Sequence, residues 1–224
     1  MLEDLSLMIK NPKLALNTLM TVRQKVKFYS HLDEIFFNQP YYWLWSQAKP
    51  HTTLIDIGAF IGDTAAYFAM NPNIDKIIAY EPHQKTFEIL SDKVYGLPKP
   101  VASKIEIKNI PIFNERIYFT NSTSGVTGTN KILARRDENS IKTTTLGLEL
   151  KNLKNVMIKS DCEGAEYQIF NNIKDLENVY AIQLEYHKGY KSLQDFFEKA
   201  GFRCTCSSEK ELGYLSALKQ FSRS

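Results

Sequence analysis

Apolar and polar positions follow two rhythms along this chain. Over the first 48 residues, Leu2, Leu5 and Met8, and later Leu16, Leu19 and Met20, recur at helical spacing. Asn11-Pro12 breaks the first of these helices and starts another. The segment then turns aromatic in FFNQPYYWLWSQ, Phe36 to Gln47. From residue 53 the rhythm changes. The short apolar runs TTLIDI, KIIAYE, KIEIKNIP, NVMIKS and NVYAIQLEY read as strands. Between them GDTAAYFAM, HQKTFEILSDKVYG, EGAEYQIFNNI and SLQDFFEKAG read as helices. ERIYFT is expected to extend the third strand as a hairpin, and residues 120–150 are irregular and rich in Ser, Thr and Gly. FRCTCSS and GYLSALKQF, joined by the polar SEKEL, read as a closing hairpin.

Strands and helices that alternate with short loops imply an α/β fold, a doubly wound sheet covered by helices on both faces. The sheet is expected to be mainly parallel, with the closing hairpin adding one antiparallel edge strand. Two parts are expected: a helical, aromatic cap over 1–48 and a ligand-binding catalytic domain over 49–224. The cap reads as docked on the core, with a substrate lid or a membrane-surface patch as further readings of its rings.

Composition narrows the classes. The formal charge of the 224 residues is +3, from 28 basic and 25 acidic side chains, so no basic stripe marks a nucleic-acid partner. RQKVKFY, Arg23 to Tyr29, comes nearest and reads as a solvated face. Cys162, Cys204 and Cys206 are an odd set without a secretory leader, which argues against a disulfide framework. Glu3 and Asp4 stand where a leader would be basic, and no apolar run approaches the ~20 residues of a spanning helix. A cytoplasmic protein is expected; nothing in the sequence sets an oligomeric state.

The first strand ends in Asp56, followed by Gly58, Ala59, Phe60 and Gly62. The second ends in Glu81, nineteen residues after Gly62, and Pro82 stops it there. Ligands of doubly wound sheets bind outside these carboxyl ends. Glu81 can accept both hydroxyls of a ribose. A dinucleotide would need glycines where Phe60 and Asp63 stand: Phe60 blocks the approach of a pyrophosphate, and Asp63 puts negative charge where phosphate would sit. There is no Walker lysine. A ligand with a ribose, no phosphate and an ammonium for Asp56 is S-adenosylmethionine. Its expected binding residues are Asp56, Gly58, Ala59, Phe60, Gly62, Glu81 and Pro82.

A second constellation is IKSDCEGAEYQIF, Ile158 to Phe170. Glu163 and Glu166 are expected in the first turn of a helix, complementing its dipole. Asp161 ends a central strand beside the donor crevice, and LEYHKG brings Glu185 and His187 to the same rim. Asp161, Glu163, Glu185 and His187 are therefore the candidate catalytic residues. In one route Asp161 orients an acceptor hydroxyl and His187 takes its proton. In the rival route Asp161 and Glu185 hold a divalent metal, Mg²⁺, that acidifies the hydroxyl.

The blocks LIDIGAFIGDTA, AYEPHQKTFEIL, IKSDCEGAE and LEYH, in this order, resemble the FkbM-type methyltransferases. The resemblance implies a class I, Rossmann-like methyltransferase fold with strand order 3-2-1-4-5-7-6. It also implies methyl transfer to oxygen on a sugar or natural-product hydroxyl. Asp56, Gly58 and Gly62 match its first donor motif, and Glu81 and Pro82 its ribose motif. Lys159, Asp161, Glu163, Gly164 and Glu166 match its signature block, and Glu185 and His187 the motif after the fifth strand. Phe60 departs from the usual small polar residue, and Gly147 stands where an acidic residue is usual. The expected function is an S-adenosylmethionine-dependent O-methyltransferase acting on a sugar, glycolipid or natural product, with a glycan or small molecule as acceptor. An RNA or protein methyltransferase, or a binding module without catalysis, are the alternatives.

Overall fold

The structure is a computed structural model that describes residues 35, 38–115, 118–120, 132–133, 140–170, 173 and 176–220. The helices expected before residue 35, the RQKVKFY stretch and most of 120–140 lie outside the described residues. The elements are α1 (Tyr42–Ser46), β1 (Thr52–Ile57), α2 (Asp63–Ala69), β2 (Ile74–Tyr80), α3 (Gln84–Gly96), α4 (Lys99–Ala102) and β3 (Ile105–Lys108). After them come β4 (Ile112–Phe113), β5 (Tyr118–Thr120), β6 (Ile132–Leu133), β7 (Ser140–Lys142), β8 (Thr144–Thr145) and α5 (Leu146–Leu150). The chain continues with β9 (Val156–Ser160), α6 (Glu166–Phe170), β10 (Val179–Tyr186), α7 (Lys191–Lys199), β11 (Phe202–Cys206) and β12 (Gly213–Lys219).

Seven strands form the main sheet in the order β11-β12-β10-β9-β1-β2-β3. Counted along the chain, that is the 3-2-1-4-5-7-6 order read from the other edge. Only β12 runs antiparallel to its neighbours, β10 and β11; the four remaining pairings are parallel. The antiparallel strand thus belongs to the expected edge hairpin, inserted between β10 and the outermost β11.

The continuous apolar runs of β1 and β9 follow from burial on both faces. Leu54, Ala79, Met157 and Ala181 point to one face, where Leu44 of α1, Ala65 and Phe68 of α2, Leu90 of α3 and Val101 of α4 cover them. Ile55, Ile78, Ile158 and Ile182 point to the other, against Leu146 and Leu150 of α5, Ile169 and Phe170 of α6, and Leu193 and Phe197 of α7. Tyr41 and Leu44 are therefore part of the same buried cluster as β1, with no break in packing at residue 48.

Two sequence expectations are corrected. ERIYFT does not extend the third strand. β5 pairs antiparallel with β6 and β7 in a separate small sheet, because the chain leaves the main sheet after β3 at Pro111, which has no N–H for the ladder. The helix of EGAEYQIFNNI begins at Glu166 rather than Glu163. Glu163 and Gly164 have φ of 53° and 97°, a left-handed turn that cannot be a first helical turn.

Candidate active site

The site grows from three residues that stand abreast. Asp56 of β1 is in register with Lys159 of β9, and Lys159 with Gln183 of β10. All three follow, two positions on, residues of the first core cluster, so they share its face. Asp56 is fully buried. It accepts from Thr64 Oγ1 at 2.7 Å, and Lys159 Nζ lies 3.1 Å from its other oxygen. Lys159 also donates to the Gly58 carbonyl at 2.9 Å. Burial alone would push this lysine down, but Asp56 and Asp161 outweigh it and hold the ammonium above its ordinary value. The cation expected at Asp56 is thus Lys159 of the chain itself, and the pair anchors the donor turn from beneath.

The turn after β1 has its amides engaged. Gly58 and Ala59 both donate to the Tyr80 carbonyl at 3.0 Å, Phe60 to Glu81 Oε2 at 3.0 Å, and Gly62 to the Ala59 carbonyl at 2.8 Å. Those N–H groups are not available to cradle a phosphate, which agrees with a donor that has none. Gly62 caps α2 with φ of 86°, and a Cβ there would lie 2.5 Å from Leu90. Asp63 is buried, within electrostatic reach of Lys93 on α3. Burial raises its carboxyl, and Lys93 opposes that rise.

Glu81 stands at the carboxyl end of β2 as expected. Its second oxygen accepts from His83 N–H at 2.8 Å, so one carboxylate joins the turn after β1 to the start of α3. Burial pushes its carboxyl up to about 7 against these two hydrogen bonds. Pro82 follows it, and its carbonyl accepts from Asn109 Nδ2 at 3.2 Å.

The second constellation closes around His187. Glu166 is fully buried, and its Oε1 accepts from both the His187 N–H at 3.0 Å and Nδ1 at 3.1 Å. Oε2 accepts from Gly164 N–H at 2.8 Å. Glu166, which stands in the first turn of α6 as expected, is therefore also a brace for the histidine. With Nδ1 held, Nε2 points to the other side, 3.5 Å from Oε2 of the exposed Glu163. Partial burial pulls the imidazole down, but Glu166, Glu163 and Asp161 outweigh it and hold it above its ordinary value. Asp161, Glu163 and His187 each offer a ligand atom, all within 4.8 Å of one another.

Glu185 lies two positions after Gln183 on the same face of β10, and its charge helps hold the Tyr41 hydroxyl above its ordinary value, but among the described residues it is not part of that group. A divalent ion on this rim would thus take Glu163 and His187 beside Asp161 in place of Glu185. Two contributors were not singled out by residue in the sequence, although Tyr41 lies in the aromatic segment read as a cap or lid. Thr64 holds Asp56, and Tyr41 donates to Asp161 Oδ2 at 3.4 Å from a segment far upstream.

Comparison with known proteins identifies this arrangement. The family profile described as the methyltransferase FkbM domain matches residues 56–204, more than half of the chain. The chain belongs to the FkbM methyltransferase family. It is an S-adenosylmethionine-dependent methyltransferase, and the Asp56–Gly62 turn, Glu81 and the Asp161–Glu166 block lie inside the matched region. No curated protein matches it. Among solved structures it is similar to the methyltransferase FkbM of Methylobacillus flagellatus KT, at 12% identity and a TM-score of 0.53, over 94% of this chain and 59% of that one. It is also similar to an uncharacterized protein from Listeria monocytogenes serotype 4b, at 12% identity and a TM-score of 0.50, over 88% and 70%. At these identities the likeness is one of fold. Among the described residues, no helix is long and apolar enough to cross a membrane.

Proposed function

We propose that this FkbM methyltransferase moves the methyl group of S-adenosylmethionine to a hydroxyl oxygen of a sugar, glycolipid or natural product. The observation that carries this reading is the braced histidine. Glu166 fixes Nδ1 of His187 and leaves Nε2 beside Glu163, in a group that Asp161 joins at the carboxyl ends of two adjacent strands. An alcohol is a poor nucleophile while it keeps its proton, so a hydroxyl acceptor needs such a group. Asp161 orients the hydroxyl and His187 Nε2 takes its proton. The acceptor oxygen gains the methyl group as the carbon–sulfur bond breaks, leaving S-adenosylhomocysteine. Asp56, Gly58, Ala59, Phe60, Gly62, Glu81 and Pro82 form the donor side, with Glu81 accepting from the ribose.

A second reading is favoured by the 4.8 Å convergence of Asp161, Glu163 and His187. These are hard oxygen donors with one imidazole, a set that suits a divalent cation. Such an ion would supply Lewis acidity to the hydroxyl.

The test is donor consumption against glycan, lipid, nucleic-acid and protein fractions, followed by identification of the product. A methyl ether from the glycan or lipid fraction supports the proposal. Methylated RNA or protein replaces it with those alternatives, and donor binding with no turnover leaves a binding module. In the histidine route His187→Ala costs ~10²–10⁴ in turnover and chelator does little. If EDTA abolishes turnover while His187→Ala keeps it near normal, the proton-acceptor role is wrong.

A further inference from the structure

Tyr41 lies outside residues 56–204, the region that matches the family, yet it reaches the centre of the site. The placement is built rather than incidental. Gln183 grips the backbone on both sides of Tyr41. Its Nε2 donates to the Pro40 carbonyl at 2.7 Å and its Oε1 accepts from Leu44 N–H at 3.1 Å. The ring meets Tyr214 edge-on at 5.7 Å, and Lys159 Nζ sits 5.4 Å from its centroid. Only 2% of the residue is exposed. A ring held on this many sides gives its hydroxyl one direction, and that direction is Asp161 Oδ2.

Asp161 is only half-buried and follows the last residue of β9, so a carboxylate there is free to turn. Fixing one of its oxygens fixes the other. We propose that Tyr41 is a positioning residue for methyl transfer: its hydroxyl ties down Oδ2 of Asp161 and leaves Oδ1 aimed at the acceptor. This rests on the reading above, in which Asp161 orients the acceptor. It adds that the segment before β1 supplies part of the site and not only a cover. The competing account is that Tyr41 is a core residue whose hydroxyl contributes nothing to turnover.

Tyr41→Phe separates the two, because it keeps the ring, the Tyr214 contact and the cover over Lys159, and removes only the hydroxyl. The full chain is assayed for S-adenosylhomocysteine release with the active fraction, alone and in an Asp161→Asn background. Melting temperature checks the fold. A carboxylate left free to turn loses near-attack geometry, so kcat is expected to fall ~10-fold, with KM for donor and acceptor within about twofold of the parent. In the Asp161→Asn background the same change is expected to do nothing more, since residues that act through one another are not additive. An unchanged kcat overturns the proposal, and so does an undiminished fall in the Asp161→Asn background. Product identity is read in the same assay. A methyl group on nitrogen or carbon with the coupling intact overturns the oxygen reading and leaves Tyr41 as positioned here.

Discussion

Gly58 faces the backbone of Asp161 so closely that a Cβ on it would lie 1.8 Å from the Asp161 carbonyl oxygen. The first glycine of the donor motif is thus required by the neighbouring strand end as well as by its own φ of 74°. The turn proposed to receive the donor and the backbone of the residue proposed to orient the acceptor are in contact.

Gly58→Ala should therefore separate them. Both atoms in conflict are backbone, so no side chain can yield. Positive-φ strain and overpacking together are expected to cost about 2–4 kcal/mol in urea unfolding, with donor affinity and turnover falling as well. Gly147→Ala is the control. Nothing lies within 4 Å of a Cβ there, and the position is in α5, so a gain of about 0.5–1 kcal/mol is expected.

Glu81 gives the donor site a pH dependence. Its carboxyl titrates at about 7 in the folded protein, against an ordinary value of 4.5. In the proposed donor site it is the ionised form that accepts the ribose hydroxyls, so donor affinity should fall as pH drops through 7, with a limiting slope of about tenfold per unit. Calorimetry from pH 8 to 6 checks this, and Glu81→Gln should give a weaker, flat profile. Stability moves the other way. The folded state holds the proton more tightly, so the Glu81 contribution is full below 4.5 and is lost as pH rises through 7.

Lys93 and Asp63 are buried side chains of opposite charge that influence each other without an ion pair within 4 Å. Burial pushes Lys93 down to about 8 against the pull of Asp63, and its Nζ has no hydrogen-bond partner among the described residues. Removing one charge strands the other. Lys93→Met should destabilise at pH 7, and adding Asp63→Asn should recover that loss, with the double variant within about 1 kcal/mol of the parent or above it. Thermal unfolding of the three variants measures the coupling.

Glu166→Gln should lower the titration midpoint of His187, because the carboxylate on Nδ1 is the main influence raising it. Histidine side-chain resonances followed against pH read this shift. The stability linked to it is full below the ordinary value of 6.5 and is lost as pH rises through the raised folded value. Glu166→Gln should reduce that loss.

The fold was legible because both faces of the sheet are covered, so each strand appears as an apolar run with an acidic or basic end. Glu81 and Asp161 are at strand ends as read, because a charge that closes a buried strand is carried toward the carboxyl edge, whereas Asp56 stays fully buried against Lys159. Contacts between segments distant in sequence were not readable. Lys159 lies two residues before Asp161 and looks like part of a charged rim, but parallel register aims it at Asp56. Glu166 has the spacing of a dipole residue, and only the left-handed turn at Glu163 and Gly164 frees it to reach His187. Glu185 and His187 looked equivalent, but Glu185 stays within β10 opposite Tyr214, whereas His187 follows the strand and is held by Glu166.

That antiparallel strand has a practical consequence for anyone dividing the chain. The stretch that carries the family likeness stops at residue 204, inside β11, while β12 runs from 213 to 219 and separates β11 from β10. A fragment trimmed to the matched stretch would leave β10 with an open hydrogen-bonding edge and the rest of β11 with no partner. Trimming at residue 56 would also uncover Ala65 and Phe68 by removing Leu44. Such a fragment should aggregate through the bared edge. The unit that folds is longer at both ends than the unit that is recognised.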